Sequence, residues 1–148
     1  MKISPAKIRF CCENDIVSII EILTIYNMHH IPSPEMPEFD MKRYVVAEID
    51  SKVVGFAGFR HVDGEWRTTL SAVHPDYKNM GIGFALQQRR LDEMKKAGAK
   101  KVITFSDRPE TIEWWIKYFG YKKVGSKPKL HDFGESSIKH WTKLEVTL

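Results

Sequence analysis

The residues best placed to do chemistry lie in one run, Val73-His74-Pro75-Asp76-Tyr77-Lys78-Asn79-Met80-Gly81-Ile82-Gly83-Phe84-Ala85-Leu86. An apolar strand ends, the chain turns through a proline, and two glycines open a helix. A helix start offers N–H groups without intrahelical partners and the positive end of the dipole, so it favours phosphate. Glycine lets a ligand approach the backbone closely. Lys78 stands one turn ahead and adds a mobile positive charge. Two packing glycines would give the same Gly-x-Gly. The third glycine of a dinucleotide fingerprint and the Gly-Lys-Ser/Thr end of a nucleotide P-loop are both missing.

The elements that must hold this run follow from periodicity. Ile8 to Phe10 reads as a short strand, and Asn14 or Asp15 supplies a helix cap. Ile16, Ile19, Ile20, Leu23 and Tyr26 recur at helical spacing to about Asn27. The stretch 29–40, with Pro32, Pro34 and Pro37, reads as a loop. Tyr44 to Ile49, Lys52 to His61 and Glu65 to Val73 are strand-like, joined by Asp50-Ser51 and Asp63-Gly64, and predict an antiparallel meander. A helix then runs to about Ala97, with Phe84, Leu86, Leu91, Met94 and Ala97 on one side. Lys101 to Phe105 is a strand, Pro109 to Phe119 a helix stopped by Gly120, and Tyr121 to Gly125 and Ile138 to Val146 the last strands. This order predicts one α/β (α+β) domain over residues 1–148. Its mixed, mostly antiparallel sheet has six to seven strands flanked by helices.

Composition sets the outer bounds. The chain has 148 residues, 43% hydrophobic and 28% charged, with 23 Lys/Arg against 19 Asp/Glu and a pI near 9.0. Its apolar runs are far shorter than the ~18–20 residues a membrane helix needs, and Met1 to Pro5 lacks the apolar core of a signal peptide. No membrane partner is expected. Adjacent Cys11 and Cys12 read as free thiols of a reducing compartment, which points to the cytoplasm. The six His are scattered, so no metal site is expected. The basic excess is local: residues 86–129 hold 12 Lys/Arg against 5 Asp/Glu, and the chain before them is mildly acidic. The aromatics sit at core-like spacings rather than in a basic recognition motif, so no nucleic-acid partner is expected.

The central run resembles the acetyl-CoA-binding motif of the GNAT (Gcn5-related N-acetyltransferase) superfamily. That motif is an apolar strand, Val-x-Pro, a short linker, Arg/Gln-x-x-Gly-x-Gly/Ala and a helix. Val73-His74-Pro75 and Lys78 to Gly83 match it, with Lys78 in place of Arg/Gln. The order of elements agrees over nearly the whole chain, including a helix that ends Phe119-Gly120-Tyr121. The resemblance implies acetyl transfer from acetyl-CoA to a primary amine of a small molecule or peptide by direct attack in a ternary complex, with no metal. It implies a bulge in the strand ending Ala72-Val73 and a splay from the 101–105 strand. The pantetheine arm would lie in that V against Ala72 and Val73, with the Val73 N–H polarising the thioester carbonyl. The N–H groups of Lys78, Asn79, Met80, Gly81, Ile82, Gly83 and Phe84 would hold the pyrophosphate, and Ser106 would contact the cofactor. Homodimers are common among such proteins.

The resemblance is least complete at the proton-transfer positions. Many members carry a Glu base six residues before the position of Val73, which here is Arg67. Simple alternation puts Glu65, Arg67, Thr69 and Ser71 on the face of Val73, and Glu65 is its only carboxylate. Glu65 is therefore the candidate base, with a backbone carbonyl and water chain, or another loop, as alternatives. The usual Tyr acid is replaced by Ile116. Tyr118, two residues later, is the nearest substitute but points about 200° round the helix. A thiolate with a pKa near ~8.5 leaves without help, so transfer without an acid at that position is expected. The acceptor would be received by the acidic 29–40 loop, with Glu35, Glu38 and Asp40, and by the 127–141 stretch, with the His131-Asp132 pair. A non-catalytic acyl-CoA-binding sensor is the alternative reading.

Overall fold

The computed structural model describes residues 5–28, 39–130 and 132–148. Two turns build the middle of its sheet. Asp50 and Ser51 have φ of 49° and 66°, and Asp63 and Gly64 have 52° and 75°. Both are two-residue turns with positive φ at each central position, whose twist suits antiparallel strands. In chain order the elements are β1 (Lys7–Phe10), α1 (Ile16–Ile25), β2 (Tyr44–Ile49), β3 (Lys52–Val62), β4 (Glu65–Val73), α2 (Ile82–Lys96), β5 (Lys101–Ser106), α3 (Pro109–Phe119), β6 (Lys122–Pro128) and β7 (His140–Thr147). The seven strands form one sheet in the order β1-β2-β3-β4-β5-β7-β6. Every neighbouring pair is antiparallel except β4 and β5. This is the mixed α/β architecture expected from the sequence.

Side-chain alternation along the strands gives two apolar layers. On one face Ile19, Ile22 and Leu23 of α1 pack on Tyr44, Val46, Val53 and Phe56. On the other, Ile82 and Leu86 of α2 cover Val45, Ala47, Val54 and Ala57. Further along that face, Leu91 and Met94 meet Ile112 and Trp115 of α3 over Phe59, Val102 and Leu144. Each fully buried side chain of this size contributes roughly 1.5–3 kcal/mol.

The start of α1 is tied to the sheet by charge. Arg9 grips Asp15 through two bonds, Nη1 to Oδ2 at 2.7 Å and Nη2 to Oδ1 at 2.9 Å, and reaches Glu48 at 3.0 Å. Asp15 also accepts from the Cys12 N–H at 2.8 Å, so its carboxylate closes the turn ahead of the helix. The Arg9 bonds hold Asp15 down to about 2. Cys11 and Cys12 are free thiols. β6 opens one residue later than expected, because Tyr121 turns into the core as a 2% exposed side chain, and β7 runs from His140 to Thr147 rather than from Ile138 to Val146.

Candidate active site

Strands β4 and β5 pair at Trp66–Val102 and Arg67–Ile103 alone. Both run on in parallel, to Val73 and Ser106, and separate as they go. The Thr68 and Thr104 hydroxyls meet at the crotch. A cleft of about 730 Å³ occupies the resulting V. The splay and the bulge that the resemblance implies are both present.

The bulge lies in β4. Ala57 pairs with Ser71, but Phe59 pairs with Thr68, so two steps along β3 match three along β4. Gly58 faces the extra residue, and a Cβ there would lie 2.5 Å from the Tyr44 ring and collide with Thr69 Oγ1. From the opposite layer, Arg90 Nη1 donates to Gly58 O at 3.0 Å and reaches Thr69 O at 3.5 Å. Arg90 is 1% exposed. Its Nε donates to Gln87 Oε1 at 2.6 Å, and Gln87 Nε2 donates to the Tyr121 hydroxyl at 3.1 Å. Burial pushes Arg90 down to about 10, so the guanidinium stays charged at neutral pH. No carboxylate pairs with it among the described residues.

The extra residue inverts the side-chain alternation. Val73 and Ser71 share the α2 face with Thr68 and Trp66, and Glu65 and Arg67 lie on the α1 face with Ala72. Glu65 thus does not share the face of Val73, as unbroken alternation predicts. Its Oε1 is engaged by Arg67 Nε, and Glu65 is not part of the cleft lining. Tyr118 is also off the cleft. It is 47% exposed and stands edge-on to Phe84, with Lys117 Nζ 5.2 Å from its ring.

The far end of β4 turns its backbone toward the V. The His74 N–H donates to Val54 O at 2.8 Å. Ladder alternation then gives Ala72 and Phe56 the next bonded pair, and leaves the N–H and C=O of Val73 and Ser71 facing away from β3. Ala72 lines the cleft, but its backbone groups belong to β3. Of the two positions that the resemblance gave to the pantetheine arm, Val73 turns its N–H away from β3 and Ala72 does not, while Ser71 does. Tyr26 Oη donates to Val73 O at 2.5 Å. Burial raises the Tyr26 pKa, so this donor keeps its proton at neutral pH.

Beyond Val73 two glycines open a helix, as the sequence predicts. Asn79 and Gly81 have φ of 62° and 76°, which swings the chain into α2. The first intrahelical bond is Ala85 N–H to Gly81 O at 3.1 Å. The N–H groups of Gly81, Ile82, Gly83 and Phe84 therefore lack an intrahelical acceptor. Lys78, Asn79, Gly81, Ile82, Gly83, Phe84 and, across the V, Ser106 line the cleft. The Met80 side chain packs into the α2 layer instead. At Gly83 a Cβ would meet Val73 Cγ2 alone, at 3.8 Å, so the space beside it is open. Orphan N–H groups, a helix dipole, an open glycine face and the ammonium of Lys78 fit a pyrophosphate.

The other bank carries Phe105, Lys127, Phe133 and Trp141, with Arg60 and Arg67 from the sheet and Met28 behind α1. Asp107 organises the loop beneath it, accepting from Lys129 Nζ at 2.9 Å and from the Glu135 N–H at 3.0 Å. The expected acceptor groups Glu35, Glu38 and His131 lie outside the described residues. Asp40 accepts from the Lys42 N–H at 3.0 Å, and Asp132 is exposed. No group of three metal-ligating side chains occurs among the described residues. No helix there is long and apolar enough to cross a membrane.

Tyr26, Arg60, Gly58 and the Gln87–Arg90 pair were not singled out from the sequence. For Gln87 and Arg90 a signal exists, since they interrupt the apolar row Leu86, Leu91 and Met94 with polar side chains on the inward face. Tyr26 reaches Val73 over 47 positions of chain, and no local pattern marks that contact.

Comparison with known proteins agrees with this geometry. Residues 16–121 match the model of the acetyltransferase (GNAT) family. The chain is 29% identical over 119 residues to an amino-acid acetyltransferase of Buchnera aphidicola, covering 76% of this chain and 26% of that protein. It thus spans about a quarter of the length of the curated relatives it matches. Among solved structures, Ard1 of Thermoplasma volcanium superposes with a TM-score of 0.76 at 19% identity, covering 97% of this chain and 98% of that one. The N-acetylglutamate synthase of Neisseria gonorrhoeae, complexed with coenzyme A and N-acetyl-glutamate, gives 0.75 at 20% identity, covering 99% and 36%.

Proposed function

The chain belongs to the acetyltransferase (GNAT) family, and from that premise we propose that it is an acetyl-CoA-dependent N-acetyltransferase that passes its acetyl group directly to an amine. The observation that carries this reading is the V itself. It has backbone donors along one wall and the orphan N–H groups of α2 at its end. Acetyl-CoA would supply an activated thioester. The N–H groups of Gly81 to Phe84, with Lys78, hold its pyrophosphate, and Ser106 contacts the arm from β5. The outward N–H groups of Ser71 and Val73 pair with the pantetheine arm as an added strand would. At the thioester oxygen such an N–H stabilises the charge that develops during attack. Arg90 keeps the bulge, and so the aim of these donors, fixed.

The proton chemistry is assigned to no side chain. Glu65 is tied to Arg67 and Asp107 to Lys129, and Tyr118 is outside the cleft. The reactive form is the neutral amine. With an amine pKa near ~10 it is about one part in a thousand at pH 7. The free thiols of Cys11 and Cys12 support a reducing, cytoplasmic setting. The occupied carboxylates also favour a second reading, an acyl-CoA-binding sensor without turnover. Release of free CoA from acetyl-CoA on addition of amines separates the two. Release that requires amine supports the enzyme, and binding without release supports the sensor.

A further inference from the structure

The acceptor bank carries a charge pattern that the CoA cradle does not need. Arg60 and Arg67 are direct cross-strand partners in the β3–β4 ladder. Like charges placed opposite each other destabilise a sheet. Both lie on the α1 face, Arg60 by alternation from Phe56 in β3 and Arg67 through the bulge in β4, away from the α2 cradle, and both line the cleft. Glu65 engages Arg67 through Nε. Neither the outer nitrogens of Arg67 nor any nitrogen of Arg60 forms an ion pair among the described residues. Lys127 adds a third cation from β6. Its Nζ lies 4.2 Å from the centre of the Phe105 ring, and the Arg67 guanidinium lies 5.9 Å from the same ring. Burial, and then the charge of Arg67, lower the Arg60 pKa, as expected of cations crowded together. Among the described residues, Arg60, Arg67 and Lys127 stand here with Glu65 as the one carboxylate engaged to them, and this excess repels a simple cationic amine. It fits an amine that brings its own anion.

We propose that the acceptor is a small amine bearing a carboxylate, an amino acid, and that its carboxylate bridges Arg60 and Arg67 with Lys127 beside them. This deepens the acetyltransferase reading and rests on it. A carboxylate has two in-plane acceptor edges that match guanidinium forks. Bound there, it relieves the Arg60–Arg67 repulsion and leaves the amine on the same face as the mouth of the V.

Binding is read by calorimetry on the CoA-loaded protein, using a panel of amino acids, each with its carboxamide and its decarboxylated amine, together with phosphoethanolamine. CoA release from acetyl-CoA is followed in parallel. At least one amino acid is expected to bind at least tenfold more tightly than its carboxamide and its decarboxylated amine. Arg60→Gln and Arg67→Gln are each expected to weaken it about tenfold or more, with the acetyl-CoA Kd held within twofold. Lys127→Gln, on an exposed edge strand that the fold tolerates, is expected to weaken it severalfold. Carboxamides or simple amines that match every amino acid overturn the proposal even if CoA is released. A preference for phosphoethanolamine overturns the carboxylate assignment. Amino-acid binding without CoA release keeps the carboxylate site and overturns acetyl transfer.

Discussion

Gly83 offers a perturbation whose effects on folding and on binding have opposite signs. It occupies the first turn of α2, and an added Cβ would make one ordinary contact, 3.8 Å from Val73 Cγ2. A carboxylate here meets the positive end of the helix dipole, worth about 0.3–1 kcal/mol. Loss of glycine's freedom adds about 0.5 kcal/mol. Gly83→Glu is therefore expected to raise Tm by about 2–4 °C for a chain of this length. The same carboxylate would stand in the proposed pyrophosphate site. Against two phosphate charges at ~6 Å, with an effective dielectric of ~40, it costs about 3 kcal/mol, or about 100-fold in affinity. Gly83→Ala is the control. Its methyl adds no charge, so Tm should rise slightly and acetyl-CoA affinity should change by no more than about threefold. Melting followed by circular dichroism and a calorimetric titration with acetyl-CoA read both quantities. Unchanged affinity in Gly83→Glu would remove the pyrophosphate from the start of α2. A lower Tm in both variants would show that Gly83 is needed for packing.

Three further outcomes follow from the described contacts. Arg90→Met strips the buried Gly58 carbonyl and the half-buried Thr69 carbonyl of their donor, costing about 2 kcal/mol and about 4–8 °C in Tm; an unchanged Tm would show that the bulge holds without it. Asp15, held at about 2 against an ordinary 3.8, contributes about 2 kcal/mol. That contribution is fully present above pH 4 and is lost as pH falls through about 2, because the unfolded state then binds more protons. The stability gap between wild type and Asp15→Asn, measured by urea unfolding, should shrink from pH 5 to pH 2, and a constant gap would contradict the ion-pair account. Tyr26→Phe removes the donor to the Val73 carbonyl and should cost about 1 kcal/mol while weakening acetyl-CoA binding severalfold; wild-type affinity would mean that the bond positions nothing.

The sequence was most legible where the physics is local. Turn residues at 50–51 and 63–64, helical spacing from Ile16, and the proline and glycine around α3 each act within a few positions. The glycine-opened start of α2 was legible for the same reason, since the two glycines and the helix start are neighbours in the chain. Glu65 shows where such reading stops. A single extra residue near Thr69 reverses every side chain upstream of it, and nothing in Trp66 to Ser71 announces it. The clearest mark of the bulge is Gly58, on the other strand. The charge pattern of the acceptor bank was not legible for a related reason. The chain before residue 86 is mildly acidic in sum, yet the bulge and the pairing bring Arg60 and Arg67 together at the cleft, where Lys127 joins them from far along the chain. Charge counted along a sequence carries no information on which face receives it.

The most direct test of the whole account is the appearance of free CoA thiol when the protein is given acetyl-CoA and an amino-acid panel, followed from pH 7 to 9. The account predicts release that requires both protein and amine, rises with pH as the neutral amine fraction grows, and is lost in Gly83→Glu. Tight acetyl-CoA binding with no release above the hydrolysis blank for any amine would contradict it and leave a binding module in its place.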